Sequence, residues 1–317
     1  MSKNKECLLK NLRRACRLMW RKVLSKLYKT SPEAAARLLY FQKTGKVIDI
    51  KNPRSFNEKL QWLNIYSKDP LRSICADKYR VREYAERQGC AGILKTLIAV
   101  YDSVDDIAWS DLPKKFALKC THGCGYNIVS ADKDELDQEE VKEKLRKWMG
   151  EKFGSKNLEF HYDKIIPRII LEEYVEGEDG DLPRDYNVYC FNGVARLVEV
   201  WTEKGGEEWQ DVFDLDWQRL NIGRKKSFER PVERPKCLDE MIRYAQLLAN
   251  PFPFVRVDFY EKNGEPILAE MTFTPGANMS EGYYTRYGLE YLGSLLELPN
   301  KDATAELGGQ PRPRMWY

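Results

Sequence analysis

Apolar residues recur every three or four positions at Leu8, Leu12, Cys16, Met19, Val23 and Leu27, with Arg13, Arg14, Arg17, Arg21 and Lys22 falling largely on other faces. That period predicts a basic amphipathic helix. A second helix is predicted within 31–50: Ser31-Pro32-Glu33 supplies a cap and a first-turn proline, and Gly45 closes it. The turn Asn52-Pro53-Arg54-Ser55 caps a third helix that starts near Phe56 and carries Leu60, Trp62, Leu63 and Ile65. A fourth spans about 77–88 and stops at Gly89. After this helical quarter the pattern alternates. Residues 93–101, 115–120, 125–130, 164–176 and 185–201 read as extended, 137–153, 237–249 and 283–296 as helical, and 253–273 as a hairpin. Asn192-Gly193 and Asn263-Gly264 each sit between two such runs and supply positive φ at both turn positions. Antiparallel sheet is therefore predicted, and a purely parallel doubly wound sheet is disfavoured.

The chain has 317 residues with 52 Lys+Arg against 49 Asp+Glu, eight Trp and eighteen Tyr, so a folded core is expected and the length allows two compact units. No uninterrupted apolar run is long enough to span a membrane, and the start lacks the apolar region of a secretory signal. The expected location is the cytoplasm. Charge is uneven: ten basic side chains and one acid give residues 1–30 a charge of +9, which leaves −6 on the other 287 residues of a chain whose net charge is +3. A mildly acidic body argues against a nucleic-acid partner. The basic helix has two readings, either packing on the body or lying on the inner face of a membrane through residues 1–28. The eight cysteines show no disulfide spacing, and Cys120, His122 and Cys124 make only half a metal site.

Three segments bear on chemistry. Pairing 254–260 with 266–272 so that partner numbers sum to 528 sets Asp258 opposite Glu270 and Arg256 opposite Thr272, all on one face. Two facing acids require a proton, a neighbouring base or a divalent cation such as Mg²⁺; neutralisation by Arg256 is the plain alternative. The run Phe116-Ala117-Leu118-Lys119 ends a strand in lysine ahead of His122-Gly123-Cys124-Gly125-Tyr126-Asn127, a loop able to cradle phosphate or simply to form a tight hairpin. Third, Ile169-Ile170-Leu171-Glu172-Glu173-Tyr174-Val175 is a strand whose end either offers a backbone edge to a purine, with a carboxylate of the following acidic loop, Asp179 among them, for ribose hydroxyls, or is simply a strand end with solvated acids.

The order of these pieces, with Asp77-Lys78 before a helix and Pro275-Gly276 after Thr272, resembles the ATP-grasp superfamily. Within it, Asn52-Pro53-x-Ser55-Phe56-Asn57-Glu58-Lys59-Leu60-Gln61-Trp62, Ala76-Asp77-Lys78-Tyr79, Leu118-Lys119-Cys120-x-His122-Gly123-x-Gly125-Tyr126-Asn127, Cys190-Phe191-Asn192-Gly193 and Phe252-Pro253-Phe254-Val255-Arg256-Val257-Asp258-Phe259-Tyr260 resemble the branch related to TupA, a protein of teichuronopeptide biosynthesis. The likeness spans about 40–300. It implies an α+β ATP-grasp fold in which two α+β subdomains clasp ATP, here with a helical N-terminal extension. The expected division is 1–50 for that extension, 51–182 for a helical lead-in and the N-terminal subdomain, 183–300 for the C-terminal subdomain with a metal-binding hairpin, and 301–317 for a tail.

The resemblance also implies roles. Lys78 and Lys119 contact the nucleotide, the loop of His122, Gly123, Gly125, Tyr126 and Asn127 covers phosphate, and Glu172, Glu173, Tyr174 and Val175 form the adenine edge. Arg256 holds the transferred phosphate, and Asp258 and Glu270 hold Mg²⁺, with Thr272 where many ATP-grasp enzymes have asparagine. The implied reaction is ATP-dependent amide formation through an acyl phosphate, on a uronic-acid sugar of a bacterial surface polysaccharide or capsule, or on its nucleotide-sugar precursor, with an amino acid or small amine. Two alternatives stand beside it. One is a glycosyltransferase of polysaccharide biosynthesis, with Asp214-Leu215-Asp216 as its only metal-site spacing; the other is a non-catalytic nucleotide-binding protein, which Thr272 would permit.

Overall fold

The computed structural model describes residues 19–20, 22–177, 182–204, 206–228 and 231–300. Leu8, Leu12, Cys16, Asp179 and the 301–317 tail lie outside them. Residues 22–30 are helical, and Leu24, Leu27 and Tyr28 pack against the body, Tyr28 stacked on Phe160 at 4.5 Å. Met19 and Val23, on the predicted stripe, are exposed. Among the described residues no helix is long and apolar enough to cross a membrane.

Helix α1 (Pro32–Thr44) ends in Gly45 at φ 71°, the left-handed cap its sequence predicts, although Ser31 makes no side-chain cap. Helix α2 (Phe56–Tyr66) opens with a capping box, in which the Ser55 hydroxyl accepts from Glu58 N–H while the Glu58 carboxylate accepts from Ser55 N–H at 2.9 Å. Of the helix expected over 77–88, α4 (Val81–Arg87) forms, and the short α3 (Leu71–Ala76) before it has no counterpart in the sequence reading. Asp77 breaks the run: its backbone is extended (ψ 115°) and its carboxylate accepts from Tyr79 and Arg80 N–H, a local turn that competes with the helix ladder.

Two antiparallel sheets follow. The first has the order β1-β4-β2-β3, from β1 (Leu97–Tyr101), β2 (Phe116–Cys120), β3 (Asn127–Ser130) and β4 (Ile169–Glu173), with α5 (Gln138–Met149) and the short α6 (Gly154–Asn157) between β3 and β4. The second has the order β7-β6-β5-β8-β9, from β5 (Asp185–Phe191), β6 (Val194–Lys204), β7 (Glu207–Phe213), β8 (Phe254–Lys262) and β9 (Glu265–Thr272). Both Asn-Gly turns form as predicted, with Asn192, Gly193, Asn263 and Gly264 all at positive φ. Strand β7 has no counterpart in the sequence reading.

Side-chain alternation decides what each sheet face does. In the second sheet, Val188, Cys190, Val255, Val257 and Phe259 pack beneath α7 (Leu238–Ala249), within a core shared with Leu118 and Leu171 of the first sheet. The opposite face buries Tyr189, Phe191, Leu197 and Phe254 against α1, α2 and α8 (Arg286–Leu295). Gly293 of α8 allows that contact, since a Cβ there would stand 2.3 Å from the Arg54 carbonyl, and Lys59 Nζ donates to the Gly293 and Leu296 carbonyls. Two residues further along the same strand faces, apolar packing gives way to Asn187, Asp185, Glu199, Arg256 and Asp258.

Candidate active site

The β8–β9 hairpin aligns four polar residues, and a bulge fixes their register. Next to the turn, Lys262 pairs with Glu265 and Phe259 with Leu268, partner numbers that sum to 527; beyond Ala269, Asp258 pairs with Glu270 and Arg256 with Thr272, summing to 528. The extra residue moves Glu270 and Thr272 away from the face that buries Leu268 and onto the polar one. Arg256 grips Asp258 with two bonds, Nε to Oδ1 at 2.7 Å and Nη2 to Oδ2 at 2.6 Å. The Thr272 Oγ1 lies 3.1 Å from both Asp258 Oδ2 and Glu270 Oε1, and Lys78 Nζ donates to Glu270 Oε2 at 3.1 Å. Burial raises Asp258 to about 7, reinforced by Glu270 and resisted by Arg256, whereas Lys78 and Arg256 overcome burial and hold Glu270 down at about 2.

Two carboxylates and a hydroxyl thus gather hard oxygen donors of the kind Mg²⁺ takes, with both oxygens of Asp258 held by the Arg256 fork. Among the described residues no group of three or more His, Cys, Asp or Glu gathers as a metal site. Behind Arg256 lies a residue the sequence reading missed. Glu199 is 2% exposed, accepts from Tyr284, Gln210 and Tyr189 at 2.7, 2.6 and 3.0 Å, and stands 4.0 Å from Arg256 Nη1.

A cavity of about 480 Å³ opens between the two sheets. From the first sheet and the residues flanking its strands come Lys95, Ala117, Lys119, Asn127, Val129, Glu173 and Val175, and from the second Asp185, Trp201 and Tyr260. Glu172 lies below this surface rather than on it, 4% exposed, with Lys119 Nζ at 3.0 Å and Lys95 Nζ at 3.4 Å from its Oε2. The two ammoniums overcome burial and hold Glu172 at about 2. Glu173 accepts from Thr96 N–H and from Lys262, while Tyr174 turns away from the cavity, with Lys115 over its ring. Asp185 lines the cavity at the start of β5, its carboxyl raised to about 6, chiefly by burial. Asp179, which the sequence reading gives to the ribose, lies outside the described residues.

The loop between β2 and β3 is held from below. The Gly123 carbonyl accepts from Lys78 Nζ at 2.9 Å, which joins the loop to Glu270 through one lysine. A Cβ on Gly123 would meet Phe153 and Tyr126 at 2.7–2.9 Å, so only glycine fits. His122 bonds the Trp148 carbonyl at 3.0 Å, and Tyr126 stacks on Trp148 and bonds Glu151, so both serve the loop's support; Gly125 takes φ 72° and Asn127 reaches the cavity. Cys120 is buried and Cys124 exposed, and neither joins His122 around a metal. Asp214, the first acid of Asp214-Leu215-Asp216, spends its carboxylate on the N–H groups of Asp216 and Gln218 in a turn.

A family model for TupA-like ATP-grasp proteins matches residues 58–296. The chain belongs to the TupA-like ATP-grasp family. Its mixed helices and paired antiparallel sheets are the α+β ATP-grasp fold, with the cavity between the sheets. Solved structures similar to this TupA-like protein include D-alanine–D-alanine ligase from Bacillus anthracis complexed with ATP, at 14% identity over 80% of this chain and 75% of that one, with a TM-score of 0.42. D-alanine–D-alanine ligase from Helicobacter pylori aligns at 16% identity over 71% and 62%, with a TM-score of 0.37. The ATP-grasp ligase PsnB, in complex with a phosphomimetic variant of its minimal precursor, Mg and ADP, aligns at 12% identity over 96% and 74%, with a TM-score of 0.38. No curated protein matches the chain significantly.

Proposed function

We propose that this TupA-like protein is an ATP-dependent carboxylate–amine ligase that forms an amide through an acyl phosphate. The acid in this reading is a uronic-acid sugar of a bacterial surface polysaccharide or its nucleotide-sugar precursor, and the amine is an amino acid or small amine. The observation that carries it is a cavity lined by Lys119 and the Glu173–Val175 strand end, together with the Arg256, Asp258, Glu270 and Thr272 cluster that Lys78 ties to the loop after β2. Ala117, Val129 and Val175 offer an apolar wall for the base, the backbone beyond Glu173 an edge for its polar rim, and Asp185 a carboxyl for the ribose. Lys119 and Lys78 meet the phosphates.

Asp258, Glu270 and Thr272 would hold Mg²⁺, which when bound neutralises phosphate charge. Arg256 then meets the phosphoryl group in transfer. A substrate carboxylate oxygen bonds to the terminal phosphorus as ADP leaves with the electrons of the broken P–O bond. The amine nitrogen next attacks the acyl carbon, phosphate departs, and the amine's surplus proton passes to solvent. Positioning and charge neutralisation supply most of such catalysis, so fixed side chains matter more than a nucleophile on the protein. Incubation with Mg²⁺ATP, a panel of UDP-uronates and a panel of amines tests the reading. ADP together with a new amide mass supports it, and sugar transfer without ADP formation would replace it with the transferase alternative.

A further inference from the structure

Lys95 follows a single turn of 3-10 helix (Ala91–Ile93) and precedes β1, a place where a lysine ordinarily reaches solvent, yet it is 4% exposed and lines the cavity. Its Nζ lies 3.4 Å from Glu172 Oε2 without hydrogen-bond geometry, and no hydrogen-bond partner satisfies it. Lys119 Nζ is closer to that oxygen, at 3.0 Å, but Glu172 Oε2 likewise has no partner with hydrogen-bond geometry. Every neighbouring element has a group facing it: Lys119 on β2, Glu172 on β4, Tyr260 on β8 with its ring centroid 5.4 Å away, and Asp185 on β5, whose carboxyl responds to both lysines. Glu173 also lines the cavity, but Lys262 and Thr96 N–H already occupy its carboxylate. Two lysines therefore share the charge of one carboxylate. Burial, then the Lys119 charge, lowers Lys95 to about 7 despite Glu172. A buried amine on a cavity wall with only part of a partner is half of an interaction, and the missing half is an anion.

We propose that Lys95 is a further nucleotide-binding residue of this cleft, meeting the phosphate chain together with Lys119, and that a proton enters the site along with the nucleotide. The inference rests on the ATP-dependent reading above. An arriving phosphate favours the ammonium over the amine, so nucleotide affinity should fall as pH rises from the free site's pKa toward the bound one, by up to about tenfold per pH unit. Below the free-site pKa that dependence disappears, because Lys95 is already charged.

Calorimetry with ADP in excess EDTA tests this between pH 6 and 9, in buffers of different ionisation enthalpy, with adenosine as a phosphate-free probe. Binding of ADP to the wild-type protein tests the underlying reading; the variants test Lys95. Lys95→Arg stays charged throughout, so it should take up less proton than wild type near pH 8 and lose the excess pH dependence, while the ligand's own titration is common to both. Lys95→Met should weaken ADP about tenfold or more at pH 6.5 and leave adenosine within twofold, without lowering the melting temperature. Equal proton uptake by wild type and Lys95→Arg, or ADP affinity in Lys95→Met within twofold of wild type, overturns the proposal. If Lys95→Met fails to fold, the comparison of wild type with Lys95→Arg decides alone.

Discussion

At the lysine end of the cleft, Lys95 and Lys119 share the carboxylate of Glu172, whereas at the hairpin end Arg256 and Lys78 face the carboxylates of Asp258, Glu270 and, behind them, Glu199. One end is short of an anion and the other of a cation. Both imbalances are buried, where charge is expensive to leave uncompensated. In the proposed reading a phosphate chain with its divalent cation supplies both missing charges in one ligand. The ends also differ in how they are made. The lysine end takes one residue from each of three chain segments, while the hairpin end is nearly complete within residues 256–272 and needs only Lys78 and Glu199 from elsewhere.

The largest effect should come from the hairpin end. Glu270→Gln removes a charged donor for the metal and the carboxylate that pairs with Lys78 in the same step, so turnover measured by ADP release should fall by about a hundredfold or more. The melting temperature should change little, because carboxylate repulsion with Asp258 is relieved. Full turnover with unchanged Mg²⁺ dependence would remove this end of the comparison. At the other end, Lys119→Ala should weaken Mg²⁺ATP by about tenfold or more, roughly 1.4 kcal/mol, in a calorimetric titration. A loss of twofold or less would remove the phosphate assignment.

Glu199→Gln probes the support behind Arg256. Replacing a buried carboxylate that three donors share should cost about 1–3 kcal/mol in urea unfolding. Unchanged stability would mean that Tyr189, Tyr284 and Gln210 find partners without it. The smallest effect concerns Lys95 and has the opposite sign. Its folded-state pKa, about 7, lies below the unfolded value of about 10.4, so the unfolded chain binds more protons between them and stability rises with pH across that window. The cost of keeping Lys95 is complete below pH 7. Lys95→Met should therefore raise the melting temperature by about 2 °C or more at pH 6, with the gain vanishing near pH 10. A loss at pH 6 would mean that Lys95 is held by more than Glu172.

Local signals carried well from sequence to structure where one segment contains its own logic. Ser55 and Glu58 spell a capping box, two Asn-Gly pairs mark hairpins, and the second hairpin brings Asp258 and Glu270 onto facing strands. Even there the two-residue turn by itself sets a sum of 527, and it is the bulge at Ala269 that delivers the pairing the chemistry needs. Strand β7 was hidden because its inward positions include Gln210 and Asp211, buried polar residues that erase the apolar alternation. The lysine end was least legible. Lys95 and Lys119 meet Glu172 only because β4 lies between β1 and β2, with Leu97 and Ala117 both opposite Glu172, and strand order is a long-range property that no local spacing encodes. For the same reason Glu172, written beside the adenine edge in sequence, turns out to serve the lysines.

Metal-free and Mg²⁺-supplemented ADP binding, measured side by side for wild type, Lys119→Ala and Glu270→Gln, tests the division of the cleft most directly. Lys119→Ala should lose affinity in both conditions and keep the wild-type ratio between them. Glu270→Gln should bind metal-free ADP as well as wild type or better, since Lys78 is released, and should gain nothing from Mg²⁺. Equal losses for both variants in both conditions, or a full Mg²⁺ gain in Glu270→Gln, would contradict a cleft with an anion end and a cation end.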